Sequence, residues 1–219
     1  MKYGMMQQLL EAEIRLPGFT QPWASRPISD VAMQHRNGID PRKHKEKMFQ
    51  HFSLPAFDNG ESPVIEAGSS IDSGKFVVPP DAILVSKLNP RIPRVWAPES
   101  ISSNAVASTE FVVMTAKPDC TRSFLKWLMK SAPVSSRMKL LATGTTGSHA
   151  RIHPSQLAAM RLAMPTLDEQ RAIAHVLDEA DRELLALTRR LQKARTLKLG
   201  IMQGLLTGRV KLQGMELSI

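Results

Sequence analysis

Residues 165–212 read PTLDEQRAIAHVLDEADRELLALTRRLQKARTLKLGIMQGLLTGRVKL, and their pattern decides the fold. Pro165 precedes Thr166, whose hydroxyl can cap a helix start, and Glu169 follows three residues later in capping-box spacing. From there to Leu206 no proline interrupts, and glycine occurs only at Gly200 and Gly204. Apolar residues recur in alternating steps of four and three. Ile173, Ala180, Leu187, Ala194 and Ile201 form one seam position, and Leu177, Leu184, Leu191 and Leu205 the other, interrupted by Lys198. A seam sustained for about four to five heptads predicts a coiled-coil helix more than an ordinary surface helix. At ~1.5 Å per residue, about forty residues make a rod of ~60 Å.

Charge divides this rod. Asp168, Glu169, Asp178, Glu179, Asp181 and Glu183 fill the first half, and Arg189, Arg190, Lys193, Arg195 and Lys198 the second. That order suits the helix dipole. It also suits an identical helix lying antiparallel, acid half against basic half, centred near Leu187. A parallel pair would set like charges together. The alternative is a long amphipathic helix lying on its own domain. Lys198, Gly200 and Gly204 mark where tight pairing is expected to give way.

The rest of the chain sets the context. Its 219 residues are 42% apolar, enough for one domain plus an extension or for two small domains. A single cysteine, Cys120, excludes an internal disulfide framework and fits a reducing cytoplasm. No apolar run approaches the ~18 residues of a membrane span, and Met1–Leu16 lacks a signal-peptide pattern. The net charge is +9, and residues 1–165 hold 20 Lys and Arg against 13 Asp and Glu. The excess therefore lies ahead of the rod, and a basic globular domain points to a polyanion, most often nucleic acid.

An internal repeat ties the two ends together. Lys2–Leu16, KYGMMQQLLEAEIRL, matches Lys198–Leu212, KLGIMQGLLTGRVKL, at a constant offset of 196 residues. The chain thus opens with a copy of its own helix end, and residues 1–16 are expected to be a helical stub, with Met1–Leu10 lying beside the rod. Pro17-Gly18 breaks that helix, with Phe19 and Trp23 as anchors. Pro27–Met33 reads as a short strand or turn, and His35–Lys47 as a basic helix or loop. HFSLP (51–55), PVIEA (63–67), KFVVP (75–79), AILVSKL (82–88), PRVW (93–96) and EFVVM (110–114) are strand-like runs separated by Pro and Gly. Arg122–Ser131 and Pro133–Leu141 alternate helically, with Phe124, Leu125, Trp127, Leu128 and Met129 as core. A loop at 142–149, a short helix at 155–160 and a strand at 162–164 lead to Pro165. The fold class is α+β: a twisted, partly antiparallel sheet with short helices over residues 17–165, a long coiled-coil-forming helix over 166–206, and a tail, 207–219.

Few residues suggest catalysis. His149 and His153 are four apart, but Pro154 argues against one helix presenting both, and neither CxxC nor HExxH occurs, so no metal site or cofactor is expected. Cys120 has no partner base in view. The loop Thr143–Ser148 has a phosphate-cradling composition without the spacing or the lysine of a nucleotide-hydrolysing loop. There is no D/N-P-P-[YF] methyltransferase tetrapeptide. Glu110 and Pro118-Asp119 stand in the wrong order for a nuclease. Loop chemistry suits binding better. Thr143, Thr145, Thr146, Ser148, His149 and Arg151 can bond phosphates or base edges. In SKLNPRIPR (86–94) two prolines stiffen a loop presenting Lys87, Asn89, Arg91 and Arg94; arginine suits guanine and asparagine adenine in the major groove. Arg91 and Arg94 have internal salt bridges as their alternative use. Arg42 and Lys43, in the basic run, are either a phosphate-contacting face or a solvated one.

These residues resemble a known family. Leu141–Asp181, LATGTTGSHARIHPSQLAAMRLAMPTLDEQRAIAHVLDEAD, is similar to the end of a target-recognition domain and the start of the conserved helix in specificity subunits of type I restriction-modification enzymes. Both K-x-G-x-M-Q-x-L-L copies resemble the end of that helix, and VSKLNPRIPRVW (85–96) and STEF (108–111) resemble the recognition domain. The resemblance implies a non-catalytic subunit that reads double-stranded DNA and docks methyltransferase subunits, with the restriction/translocase subunit joining the complex. Such a subunit has two recognition domains and two antiparallel helices, whereas one of each is found here. The resemblance therefore implies either a half subunit, restored as an antiparallel homodimer on a palindromic split target, or a fragment of a full subunit. An interaction scaffold with inert loops, and an enzyme, are the competing classes.

Overall fold

A computed structural model of the chain describes residues 2–144 and 149–207. They fall into two compact units, one up to His175 and one from Val176 on. In chain order the first unit holds α1 (Lys2–Leu10), β1 (Ala24–Pro27), α2 (Ile28–Val31), β2 (Ala32–His35), β3 (Gly38–Ile39), β4 (Met48–Phe52), α3 (Leu54–Asp58), β5 (Val64–Ala67) and β6 (Lys75–Val77). It continues with β7 (Ile83–Ser86), β8 (Val95–Trp96), β9 (Ala105–Ser108), β10 (Phe111–Ala116), α4 (Arg122–Lys130), α5 (Ala132–Leu141), α6 (Pro154–Ala159) and β11 (Arg161–Met164). Helix α7 (Leu167–Leu206) starts in the first unit and runs on as the second.

The fold class is α+β as read, but the strands form three sheets among the described residues. A four-stranded sheet has the order β2-β10-β7-β8, a five-stranded sheet the order β3-β6-β9-β4-β5, and β1 pairs with β11. Every pair is antiparallel except β4 with β9. The main core draws on the two larger sheets: Leu84, Trp96, Phe111 and Val113 from one, Phe52, Ala105 and Ala107 from the other. Trp96 anchors it, with the Phe52 ring edge-on at 4.8 Å and those of Phe57 and Phe111 at 5.8 and 6.5 Å. Strand alternation puts Val106 in a separate cluster with Phe49 and Ile71. Helix α4 packs against β7, β8 and β10. Thr121 caps it by accepting from the Phe124 N–H at 3.1 Å, and Phe124, Leu125, Trp127, Leu128 and Met129 are all buried, as their spacing predicts. Each buries apolar area that stabilises the fold by about 1.5–3 kcal/mol.

Local chemistry moves several expected boundaries. Strand β4 begins earlier, at Met48, and stops at Phe52. There Ser53 accepts from the Ala56 N–H at 3.2 Å and Pro55 fits the first turn of α3, so HFSLP is half strand and half helix. Pro27–Met33 is a strand end, one helical turn and the start of β2. The run 35–47 is no helix; it holds β3 and a tight 3-10 turn at Pro41–Lys43, capped by Asp40. Gly68 permits that turn, because a Cβ there would lie 2.3 Å from the His44 carbonyl oxygen.

Helix α7 starts where predicted, with the Thr166 hydroxyl accepting from the Glu169 N–H at 3.5 Å. The Glu169 carboxylate does not fold back to complete a capping box. It is 1% exposed and accepts from Arg15 Nε at 2.6 Å, Arg15 Nη2 at 2.9 Å and Trp23 Nε1 at 3.0 Å. Gln170, also buried, accepts from the Thr121 N–H and donates to the carbonyls of Asp119 and Pro165. Along the seam, Ile173 and Leu177 are buried, Ala180 is half-buried, and Leu184, Leu187, Leu191 and Ile201 are 45–52% exposed. Ala194 is exposed and Leu205 half-buried. The two copies of the repeat differ in the same way. Met6, Leu9 and Leu10 of α1 are buried, with α1 against α4, whereas Met202 and Leu206 are exposed.

Candidate nucleic-acid interface

Strand β7 is buried throughout, and the chain leaves it at Lys87. Hydrogen bonds then shape the loop. Lys87 N–H donates to the Glu110 carbonyl at 2.9 Å, Asn89 N–H to the Ala150 carbonyl at 2.7 Å, and Ile92 N–H to the Asn89 carbonyl at 3.0 Å. The last bond closes a turn around Pro90. Asn89 holds a left-handed φ of 47°, which asparagine tolerates better than most residues. Its Oδ1 is buried without a hydrogen-bond partner among the described residues. Arg91, Ile92 and Pro93 are exposed at the tip.

The second predicted loop meets the first. Thr143 and Arg151 exchange backbone hydrogen bonds of 2.9 and 2.8 Å, and Arg151 also bridges Leu88. Ile152 N–H donates to the Lys87 carbonyl at 3.0 Å. Lys87, Asn89, Thr143, His149 and Arg151 are thereby fastened beside one another although about sixty residues separate the two segments. Gly144 opens the second loop at a φ of 153°, where a Cβ would lie 2.8 Å from Ala150 Cα. Thr145, Thr146 and Ser148 lie outside the described residues.

Ion pairing sorts the predicted cations. Arg94 makes a bidentate pair with Asp58 at 2.7 and 2.9 Å, leaving its side chain 13% exposed. Arg94 thus takes the internal salt bridge that was its alternative use, and its guanidinium holds the Asp58 carboxyl below the usual carboxylate range. Arg151 is paired in the same way with Glu110, at 3.1 Å to each oxygen, and Arg42 with Asp40 at 2.8 and 3.0 Å. Lys87, Arg91 and Lys43 make no side-chain hydrogen bond or ion pair among the described residues. Arg42 and Lys43 belong to the connection between β3 and β4, on the other large sheet, and no hydrogen bond or bridge among the described residues joins them to the paired loops.

The remaining candidates are structural. His153 Nδ1 accepts from the Ser155 N–H at 3.3 Å as the cap of α6. Cys120 is buried, which pushes its thiol up to about 12 and leaves it unreactive. Asp119 pairs with Arg26 at 3.1 Å. Among the described residues, no three His, Cys, Asp or Glu side chains are grouped to hold a metal ion, and no helix is long and apolar enough to cross a membrane. Next to the two loops lies a cleft that no sequence motif marks, rimmed by Gln34, Arg36, Lys87 and His153. Arg36 stood in the recognised basic run; nothing in the spacing of Gln34 or His153 ties either to it.

The chain thus combines a basic α+β domain, two polar loops joined by hydrogen bonds at their bases, and a long helix with an exposed apolar seam. Residues 21–195 match the family model described as the type I restriction modification DNA specificity domain, and the chain belongs to that family. Its fold is shared with the HsdS subunit of Thermoanaerobacter tengcongensis, with a TM-score of 0.66 at 18% identity over 93% of this chain and 54% of that one. A chain from a structure concerned with complex assembly and conformational transition of a type I R-M system gives 0.65 at 21% identity, over 92% and 53%. The type I restriction-modification S subunit of M. genitalium gives 0.59 at 18% identity, over 88% and 47%. This chain spans about half the length of those relatives. No curated protein matches it in sequence.

Proposed function

We propose that the chain is the DNA-reading component of a type I restriction-modification complex, that it carries no catalytic site of its own, and that each copy reads one half of a split target. The observation that carries this reading is the convergence of the 87–92 and 143–151 segments on the Leu88–Arg151 bridge, within a chain of the specificity-domain family. Lys87, Arg91 and the Thr143–Arg151 loop make the DNA contacts, with Arg42 and Lys43 on the flanking backbone. Arg94 and Arg151 hold the loops through Asp58 and Glu110. Residues 17–165 form the recognition domain, and 166–206 pair two copies antiparallel and dock the methyltransferase subunits. The exposure of Leu184, Leu187, Leu191 and Ile201 supports that role, since a seam of this kind is covered in a coiled coil. The test is to sequence the methylome of cells carrying this chain with a cognate methyltransferase. A methylated motif in two parts separated by a fixed spacer is expected. Methylation without sequence preference, or a continuous motif, overturns the reading.

A further inference from the structure

Beside Lys87 lies a cleft of about 240 Å³, lined by residues of the four-stranded sheet and by Phe76 of the five-stranded one. Phe111 at the start of β10 and Phe76 of β6 form its walls. Its rim carries Gln34 of β2, Arg36 just beyond that strand, Lys87 beyond β7, and His153 at the cap of α6. No Asp or Glu lines it. Gln34 Nε2 donates to the Pro154 carbonyl at 3.0 Å, fixing one side of the rim to the other. Arg36 reaches only the Gln34 amide oxygen, at 3.5 Å, and the Lys87 ammonium has no partner among the described residues. His153 uses Nδ1 for its cap and has Nε2 to spare. The cleft thus gathers a guanidinium, an ammonium and further donors around its mouth, in a volume below the roughly 300–1,000 Å³ of small-molecule sites. That suits a compact anion reaching in on a larger ligand.

We propose that this cleft seats a backbone phosphate of bound duplex DNA, held by Arg36, Lys87 and His153. The proposal rests on the DNA-reading function above and assigns one anchoring contact within it. A phosphate contact carries no sequence information but fixes register. Because Lys87 belongs both to this rim and to the recognition loop, a phosphate seated here positions the loop over the adjacent bases.

The test needs no knowledge of the target. Binding of a fluorescein-labelled mixed-sequence duplex to the full chain is followed by anisotropy from ~50 to ~200 mM salt, where each phosphate contact contributes a slope of about 0.9 in log K against log salt. Arg36→Gln should reduce the slope by about 0.9, and Arg36→Lys should restore it, since lysine keeps the charge. His153→Asn keeps a good helix cap and should weaken binding without loss of folding, checked by circular dichroism. Lys139→Gln, exposed on α5 and not among the residues lining the cleft, removes an equal charge and should leave the slope unchanged. An unchanged slope in Arg36→Gln overturns the phosphate assignment even if affinity falls, because that is the mark of a base-edge contact. An equal drop in Lys139→Gln also overturns it, by showing a general charge effect. If the unaltered chain binds no duplex at all, the DNA-reading function itself fails, a result distinct from either.

Discussion

Arg91 and Arg94 sit three residues apart in one loop, and their surroundings differ. Arg94 is folded down onto Asp58, while Arg91 is exposed at the turn. Arg94→Ala should therefore lower stability, by about 1 kcal/mol because Asp58 is half exposed and solvent screens the pair, and should leave DNA affinity nearly intact. Arg91→Ala should weaken DNA binding by about 1–3 kcal/mol with no change in unfolding midpoint. Urea unfolding and duplex titration on both variants separate the two roles; equal loss of affinity in both sinks the distinction. The Asp58 pair also predicts a pH dependence. Its carboxyl is held below the ordinary 3.8, so the stabilisation is present above that value and is lost as the pH falls through the lowered one. The stability gap between the unaltered chain and Arg94→Ala should then close in acid and persist at neutral pH. Which arginines are available to DNA was not legible in the sequence. Asp58 lies 36 residues from Arg94 and Glu110 41 from Arg151, and no periodicity brings such distant acids to mind as partners. The loops themselves were legible, since Pro90, Pro93 and Gly144 punctuate them.

Among the elements, the start of α7 shows how a helix signal serves a second purpose. Glu169 sits in capping-box spacing, yet its carboxylate is spent on Arg15 and Trp23, far back in the chain, and Gln170 binds Thr121 and Asp119 beside α4. The pair of residues thus ties the N-terminal segment, the cap of α4 and the root of α7 into one hydrogen-bonded junction. Glu169→Ala should cost about 2–4 kcal/mol, since it strips three donors of a buried acceptor while Arg15 can partly rehydrate. Glu169→Gln should cost less, as an amide oxygen still accepts. Thermal unfolding of the two variants checks this, and near-equal, small losses count against the junction. The same element shows what could be read in advance. The heptads, Thr166 and the absence of proline fix α7, and the apolar spacing after Thr121 fixes α4, because helices are encoded by neighbours three and four residues apart. The sheets were less accessible. β3 and β8 are two residues long, and β1 pairs with a strand more than a hundred residues away. Pairing across such separations depends on the whole chain and leaves no local mark.

For the whole molecule, the proposed assembly rests on the exposed seam of α7. Leu184, Leu187 and Leu191 are each about half exposed, and single scattered leucines would need no explanation, but a continuous line of them does. The charge distribution favours an antiparallel orientation for the proposed pair. In an antiparallel pair centred on Leu187, Lys193 stands opposite Asp181 and Arg195 opposite Glu179, whereas a parallel pair aligns each with its own kind. The unaltered chain should sediment as a dimer at micromolar concentration. Leu187→Glu should be monomeric, because it puts a charge in the centre of the seam. Arg190→Glu with Lys193→Glu should weaken self-association, since the basic half then falls from a net charge of +5 to +1, and Asp181→Lys with Glu183→Lys should weaken it by taking the acidic half from −4 to 0. Mixing those two variants should restore a dimer of one of each, which shared loss of helicity would not allow. Monomers at every concentration for the unaltered chain, or no rescue on mixing, would remove the antiparallel pairing. The consequence reaches the DNA. Two identical chains related by a two-fold axis present identical loops in opposite senses, so their target must be palindromic with a spacer fixed by the helices. A methylated motif with two unlike halves would require unlike recognition domains at the ends of the rod. Sedimentation and methylome sequencing must therefore agree, and a disagreement between them identifies which of the two claims, pairing or half-site reading, is wrong.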